Sequence, residues 1–410
     1  MTTLALLVGG GPAPGINGVI GAATIYARRR GARVLGIPHG FAPLISGDLR
    51  EVRELQIEDV SRIHLLGGSI LQTSRTNPLA SEAALGGTLG SLQTLGVDHL
   101  ITIGGDGTVH VARQLFEAAR GRFALAHVPK TIDNDLPLPA GAPTFGFETA
   151  REEGARVVAH LLEDARTTSR WYVVVMMGRD AGHLALGAAK SAGATLALVP
   201  EEFPSGPVRL DAVARVIEGA MLKRFALGRS HGVAVVAEGI GARLPDDDLP
   251  SEIERDELNR PRHSALPLGD LLAKRARAGL AELGVRIPVV AKDVGYELRC
   301  AAPNAFDIEY TRDLGAGAAA ALLGGASGVM ITRQEHAIVY VPLSAMLDPA
   351  TGETRKRLLD ISRPTYATAR LLQVRLEAAD LMPGRDCDAI CAAAKRTPEE
   401  LQERYFAEGA

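Results

Sequence analysis

The sequence predicts an α/β protein built from two lobes with mostly parallel sheets. Nine short apolar runs recur along the chain, and segments with helical spacing lie between them. Uninterrupted apolar runs of this length are typical of strands that are covered on both faces. Nine strands are many for one sheet, which favours two. The runs cover residues 4–10, 32–38, 99–105, 124–129, 171–178, 195–200, 232–239, 288–295 and 328–332.

The segments between these runs predict the helices. Helical spacing is clear over 17–30 and 109–119, and the pattern over 146–170 is a plausible crossing between the two lobes. The tail from about 345 also has helical spacing and many charges, so we expect it to pack on the outside.

Composition narrows the class of protein. The 410 residues suffice for two or three domains, and 45 basic against 48 acidic residues indicate neither nucleic acid nor an anionic membrane as partner. The N-terminal run resembles a first strand rather than a secretory signal. The three cysteines are too few for a disulfide framework, so we expect a cytoplasmic location. Cys387 and Cys391 have no further ligand nearby, which favours incidental packing over a metal site.

Clusters of glycine and polar residues follow the apolar runs, where ligands bind in open α/β sheets. The segment VGGGPAPGIN (8–17) can place a phosphate group at a helix N-terminus, although a tight turn explains it equally well. In GGDGT (104–108), three glycines leave space, and Asp106 can hold Mg²⁺ that is already bound to phosphates. The alternative is a turn in which Asp106 caps a helix.

The segment PKTIDNDLPLP (129–139) is the strongest of these signals. Its prolines restrain a loop that carries a cation, a hydroxyl and the two carboxylates of Asp133 and Asp135. One carboxylate as general base and the other near a metal is the economical interpretation. A solvated surface loop is the alternative, but the preceding buried-strand run argues against it.

Basic and acidic side chains at other strand ends complete the set. Arg179 follows the most apolar run and suits bidentate recognition of an anion, and Glu238 can bind a sugar hydroxyl. Further arginines are placed similarly, although each alone could be a surface residue: Arg75, Arg170 and Arg299. Acids for magnesium, a candidate base and several arginines are the components that phosphoryl transfer needs.

The chain resembles the 6-phosphofructokinases of the two-lobed, Rossmann-like class. The closer resemblance is to a longer bacterial group that contains both ATP-using and pyrophosphate-using members. The resemblance spans residues 4 to 340. It rests on motifs that occur here in the order of the family: GGGPAPGIN, GGDGT, PKTIDND, TFGFETA, MMGRDAGHLAL, PEEF, AEG and GYELR.

The resemblance implies roles for individual residues. Asp106 binds Mg²⁺, the expected cofactor, and Asp135 supports the metal or the loop. Arg75 and Arg179 neutralise the phosphoryl group in flight, and Asp133 is the base for the 1-hydroxyl of fructose 6-phosphate. The donor site comprises Gly11, Gly104, Gly105, Asp106, Gly107 and Thr108. The sugar site comprises Thr131, Ile132, Asp133, Arg170, Met177, Gly178, Arg179, Glu238, Tyr296 and Arg299.

The resemblance also implies the domain organisation and the assembly. Residues 1–145 with about 297–345 form the donor lobe, residues 146–296 form the fructose 6-phosphate lobe, and about 346–410 form a C-terminal helical extension. The active site is expected in the cleft between the lobes. A homodimer or homotetramer is implied, in which Arg170 reaches the sugar site of a neighbouring subunit.

Three positions depart from the pattern of the short ATP-dependent enzymes. Pro12 replaces the usual acid, Tyr296 replaces a histidine, and Val290 occupies the place of an arginine, with Lys292 nearby. The sequence therefore departs from that pattern where the strand supplies sugar-phosphate contacts.

The donor signature of this chain is mixed. In the family, pyrophosphate users typically carry Asp and Lys at the positions of Gly107 and Lys130, and short ATP users carry Gly at both. An aspartate at 107 would repel the α-phosphate of a nucleotide, so Gly107 favours ATP. We therefore expect an ATP-dependent 6-phosphofructokinase, with pyrophosphate as the alternative donor. Other kinases with a GGDG motif lack PKTIDND, and a non-catalytic sugar-phosphate-binding regulator is a remote alternative.

Overall fold

A computed structural model describes residues 1–254, 266–348 and 354–407 and divides the chain into two compact units. The first unit comprises Met1–Ala150 and Tyr296–Arg357, and the second comprises Arg151–Gly295 and Leu358–Ala410. From sequence, the corresponding boundaries are expected at 145 and 296, with a separate extension beyond about 345.

Each of the nine predicted runs overlaps a strand. The described residues add two short edge strands, at Arg53–Glu54 and Ala337–Pro342. In chain order the strands are β1 (Thr3–Val8), β2 (Arg33–Ile37), β3 (Arg53–Glu54), β4 (His99–Gly104), β5 (Ala124–Pro129), β6 (Trp171–Met176), β7 (Leu196–Leu198), β8 (Gly232–Ala237), β9 (Val289–Val294), β10 (Val329–Gln334) and β11 (Ala337–Pro342).

The α-helices of the described residues fall largely between these strands. In chain order they are α1 (Ile16–Arg28), α2 (Ala42–Ser46), α3 (Ile57–Val60), α4 (Glu82–Thr94), α5 (Asp106–Ala119), α6 (Phe147–Thr168), α7 (His183–Ala192), α8 (Leu210–Ala226), α9 (Leu268–Glu282), α10 (Tyr296–Arg299), α11 (Ala305–Leu323), α12 (Pro364–Leu371), α13 (Arg385–Ala394) and α14 (Pro398–Phe406).

The first unit contains a sheet in the order β11-β10-β5-β4-β1-β2-β3. Its pairings are parallel except at the two edges, where β11 and β3 run antiparallel to their neighbours. Helix α1 packs closely along α11 on one face. A Cβ on Gly18 would lie 2.2 Å from Thr311 Oγ1, and one on Gly315 would lie 2.4 Å from the Val19 carbonyl oxygen. Glycine at both positions therefore permits this close helix packing.

The second unit contains a parallel sheet in the order β7-β8-β6-β9. The predicted outer tail is part of this unit from Leu358 onward. Its buried Leu381, Ile390, Ala394 and Leu401 belong to the same core as strands β6 and β8. The tail covers apolar surface of α8 and α9, because the tail helices present apolar side chains on one face and charges on the other.

No helix among the described residues is long and apolar enough to span a membrane.

Candidate active site

Three loops of the first unit leave the same edge of its sheet. Strands β1, β4 and β5 are parallel neighbours, with Val8 paired to Ile103 and Gly104 paired to Pro129. The loops that follow them are therefore adjacent, although long stretches of sequence separate them. They carry the GGGPAPGIN, GGDGT and PKTIDND motifs.

The GGDGT segment passes directly from strand β4 into helix α5, whose first residue is Asp106. The buried side chain of Thr108 occupies the space above the glycines. A Cβ on Gly104 would lie 2.2 Å from Thr108 Oγ1, whereas a Cβ on Gly107 would have nothing within 4 Å. Backbone N–H groups at the start of α5 thus face a region that has room for an anion beside Gly107.

Two cations converge on the first glycine loop. Lys130 is only 5% exposed, and its ammonium group donates a hydrogen bond to the Gly11 carbonyl oxygen. The guanidinium carbon of Arg299 lies 3.5 Å from the position of a Cβ on Gly11. Arg299, which the resemblance assigns to the sugar, therefore lies beside a residue that it assigns to the donor.

The loop after Lys130 is buried and internally hydrogen-bonded, unlike a solvated surface loop. Asp133 and Asp135 are each 3% exposed. The Asp133 amide donates to Thr131 Oγ1 at 3.0 Å, and Thr144 Oγ1 donates to the Thr131 carbonyl oxygen at 2.7 Å. Ile132 is also buried. The position of both carboxylates is therefore restrained by the backbone that carries them.

The residues of these three loops fit a magnesium ion that arrives bound to phosphates. Asp106, at the start of α5, is partly exposed and offers the oxygen ligand that Mg²⁺ prefers. Among the described residues no group of three or more histidine, cysteine, aspartate or glutamate side chains could hold a metal by itself. Magnesium is usually bound through one or two carboxylates plus substrate phosphates, so this donor set is sufficient.

The second unit brings together the ends of β6 and β8. Met176 pairs with Ala237, so the loop of Met177, Gly178 and Arg179 follows one strand while Glu238 follows its neighbour. The Gly178 amide donates to Glu238 Oε2 at 3.3 Å. A Cβ on Gly239 would lie 2.1 Å from the Arg179 carbonyl oxygen, so the two loops approach closely there.

The remaining predicted residues lie near the surface. Arg75 is exposed and follows Ser74, whose carbonyl oxygen accepts a hydrogen bond from the Gly10 amide at 2.8 Å. Arg75 is thereby attached to the first glycine loop. In the second unit, Arg170 Nε lies 3.9 Å from a carboxylate oxygen of Asp164. Tyr296 is 74% exposed, and its ring lies 5.7 Å from the Arg299 guanidinium carbon.

Sequence reasoning missed His127 in strand β5. Its Nε2 lies 3.0 Å from the Gly104 carbonyl oxygen, so Nε2 carries the proton and Nδ1 accepts from Thr102 Oγ1 at 2.8 Å. Burial lowers the pKa of His127 to about 3, which keeps the ring neutral. A polar residue inside the apolar run ALAHVP was the available signal.

Two relatives that are almost half identical to this chain carry the same name. Two proteins named pyrophosphate–fructose 6-phosphate 1-phosphotransferase match 98% of this chain. The protein from Thermotoga maritima is 47% identical with 98% of its own length covered, and that from Naegleria fowleri is 45% identical with 95% covered. An ATP-dependent 6-phosphofructokinase 1 from Thermus thermophilus is 32% identical, over 91% of this chain and 99% of its own length.

A solved structure extends the similarity to the fold. A pyrophosphate-dependent phosphofructokinase from Marinobacter aquaeolei aligns with a TM-score of 0.68 at 15% identity, covering 97% of this chain and 92% of its own.

The expectation of an ATP-dependent enzyme is wrong, because the more similar relatives carry the pyrophosphate name and the ATP-dependent relatives are more distant. Gly107 is weaker evidence for the donor than Lys130. Open space beside a Cβ position on Gly107 does not require a nucleotide. Lys130 is not a flexible surface cation, because its side chain is buried and its ammonium group donates to the Gly11 carbonyl oxygen.

A family model described as phosphofructokinase matches residues 3–322, which is most of the chain and includes every motif loop described above. The chain therefore belongs to the phosphofructokinase family.

Proposed function

We propose that this protein transfers a phosphoryl group from pyrophosphate to the 1-hydroxyl of fructose 6-phosphate, giving fructose 1,6-bisphosphate and phosphate. It would thus be a transferase of glycolysis. The observation that carries the choice of donor is the buried Lys130 ammonium at the Gly11 carbonyl. The names of the two relatives that match the chain almost completely support it independently.

Lys130 and Arg299 suit a compact, highly charged donor. Both cations approach Gly11, so they concentrate positive charge at one glycine loop. Pyrophosphate carries its charge on two adjacent phosphoryl groups and has no nucleoside to contribute binding energy. A donor of this kind depends on charge-assisted hydrogen bonds from fixed cations, which are about twice as strong as neutral ones.

The transfer step follows from the buried acid of the PKTIDND loop. Asp133 removes the proton of the 1-hydroxyl while the hydroxyl oxygen forms a bond to the nearer phosphorus of pyrophosphate. The bond between that phosphorus and the bridging oxygen breaks, and the second phosphoryl group leaves as phosphate. Arg75 and Arg179 neutralise charge on the group in flight, while backbone N–H groups at the start of α5 bind the donor phosphate.

Asp106 would hold Mg²⁺, and the ion, when bound, neutralises the phosphate charge that builds up during transfer. We assign contacts with the sugar to Thr131 and Ile132, and to Met177 and Glu238. Glu238 accepts the hydrogen bond from the Gly178 amide, which orients that loop, and it would accept a second hydrogen bond from a sugar hydroxyl.

A coupled assay of fructose 1,6-bisphosphate formation tests the donor. With fructose 6-phosphate and saturating Mg²⁺, turnover with pyrophosphate should exceed turnover with ATP by at least about tenfold, equivalent to about 1.4 kcal/mol. Faster turnover with ATP would contradict the proposed donor. Binding of fructose 6-phosphate without turnover with either donor would instead indicate a non-catalytic regulator.

The proposed assembly is a homodimer or homotetramer in which Arg170 contacts the sugar phosphate of a neighbouring subunit. The support is the family resemblance together with the partial exposure of this side chain beside Asp164. Arg170→Ala should raise the KM for fructose 6-phosphate by about 10- to 150-fold, because a charge-assisted hydrogen bond is lost. Hybrids with an Asp133→Asn parent should regain activity, and confirmed hybrids that regain none would refute subunit sharing.

A further inference from the structure

A segment near the end of the first unit contacts the PKTIDND loop, and no motif of the sequence accounts for it. Residues 354–357 follow the last strand of the first-unit sheet. Thr354 Oγ1 lies 3.5 Å from the Asp106 carbonyl oxygen, and the Arg357 amide donates to the Asp135 carbonyl oxygen at 2.6 Å. The segment therefore touches two of the three loops at the proposed donor end of the sheet.

The guanidinium of Arg357 makes the more specific contacts. Its Nε donates to the Asn134 carbonyl oxygen at 2.9 Å, and its Nη1 donates to the Ala142 carbonyl oxygen at 2.9 Å. Its Nη2 donates to Asn134 Oδ1. One planar side chain thus binds both the main-chain and the side-chain oxygen of Asn134 and links that residue to Ala142.

Asn134 needs such a restraint because of its backbone. Its φ of 56° lies in the left-handed region, which asparagine tolerates at a small cost. Asn134 separates Asp133 from Asp135, so a rotation of its backbone would redirect both carboxylates. Thr144 supplies a second restraint by donating its amide to Asn134 Oδ1 at 3.1 Å.

We infer that Arg357 is a positioning residue for phosphoryl transfer, which holds Asn134 in the left-handed conformation and thereby orients Asp133 toward the sugar hydroxyl. The inference rests on the proposed function for the role of Asp133. Positioned proton transfer is sensitive to small displacements of the base, because a shift of about 1 Å can cost about 100-fold in rate. Residues 354–357, which lie beyond the family motifs, would thereby contribute to catalysis.

The chemistry of arginine is needed at this position. Three oxygen acceptors lie around one planar group, and a lysine ammonium on a flexible stem does not reproduce that fork. Burial lowers the pKa of Arg357 while the neighbouring Asp135 raises it, and arginine stays charged in either case.

The test compares Arg357→Ala with Arg355→Ala. Arg355 lies in the same segment, and its guanidinium donates to the Ala345 carbonyl oxygen, away from the PKTIDND loop. Arg357→Ala should lower kcat by about 10- to 150-fold and change the KM for fructose 6-phosphate by less than about threefold. Free guanidinium ion should restore part of the lost kcat, and Arg355→Ala should behave like the wild type. If the alanine variant folds poorly, Arg357→Lys takes its place. It keeps the charge but not the planar fork, so it should show the same loss of kcat.

Hydrogen exchange over residues 130–136 gives a readout without substrate. Arg357→Ala should speed exchange there and Arg355→Ala should not, because only the first removes a restraint on the loop. A kcat within about threefold of the wild type, or a loss of kcat with neither guanidinium rescue nor faster exchange, would overturn the inference. A wild type that fails to use pyrophosphate would contradict the proposed function alone. The hydrogen-exchange comparison would still test whether Arg357 restrains the PKTIDND loop.

Discussion

The ammonium group of Lys130 donates a hydrogen bond to the carbonyl oxygen of Gly11, joining the loop after β5 to the loop after β1. The pairing of Lys130 N with the Gly104 carbonyl oxygen at 2.8 Å holds the same residue against the GGDGT segment. One lysine thus connects all three loops at this edge of the sheet. These hydrogen bonds hold the ammonium group in position before any donor binds.

We predict that Lys130→Met weakens the use of pyrophosphate. Methionine keeps the length of the stem but removes the charge, so kcat/KM for pyrophosphate should fall by about 10- to 150-fold. The KM for fructose 6-phosphate should change little. Lys190→Met is the matched control, because Lys190 is exposed in the second unit and donates to the Thr365 carbonyl oxygen. Equal pyrophosphate kinetics in the two variants would contradict the role of Lys130.

Asp133→Asn should remove the general base with little change in shape. Positioned proton transfer contributes about 10²- to 10⁴-fold, so kcat should fall by that factor. The KM values should stay near those of the wild type, and the melting temperature confirms that the buried loop still folds. A variant within about threefold of the wild-type kcat would show that another group accepts the proton.

The strands could be predicted from sequence because both faces of most of them are buried. Runs such as those of β4 and β6 contain consecutive apolar side chains, which a solvated strand does not tolerate. The edge strands β3 and β11 escaped prediction for the converse reason. Their residues are largely exposed and their pattern is weak.

The motif loops were also recognisable, but the contacts between them were not. Lys130 and Gly11 are distant in sequence, and only the pairing of β1 with β4 and of β4 with β5 brings their loops together. The donor was misjudged for this reason. Sequence alone shows that Lys130 is a cation, whereas its burial and its bond to Gly11 depend on the fold. Arg357 was missed because most of its partners are backbone oxygens, which leave no trace in a motif.

Two glycines of the GGDGT segment should respond in opposite ways to alanine. A methyl group on Gly104 would lie 2.2 Å from Thr108 Oγ1, so Gly104→Ala should cost about 1–3 kcal/mol of stability through overpacking. Gly107 is the second residue of α5 and has nothing within 4 Å of its Cβ position, so Gly107→Ala should stabilise the protein by at most about 0.5 kcal/mol. Urea unfolding of both variants measures the contrast. Equal effects at the two positions would show that Thr108 does not pack as described.

The neutral His127 should make stability depend on pH. Its folded pKa is about 3 against an ordinary value of 6.5, so between these values the unfolded chain binds the extra proton. The contribution is therefore fully present above about pH 6.5 and is lost as the pH falls toward 3.

Lowering the pH from 7.5 to 5 should cost the wild type about 2 kcal/mol more than His127→Gln, which cannot take up that proton. The introduced glutamine side chain retains a donor for the Gly104 carbonyl, so the two proteins should differ in pH dependence more than in stability at pH 7.5. His336→Gln, at an exposed position, should keep the pH dependence of the wild type. Urea midpoints of the first-unit transition at both pH values measure these differences. Identical pH dependence in His127→Gln and the wild type would mean that the folded protein protonates His127 as readily as the unfolded chain does.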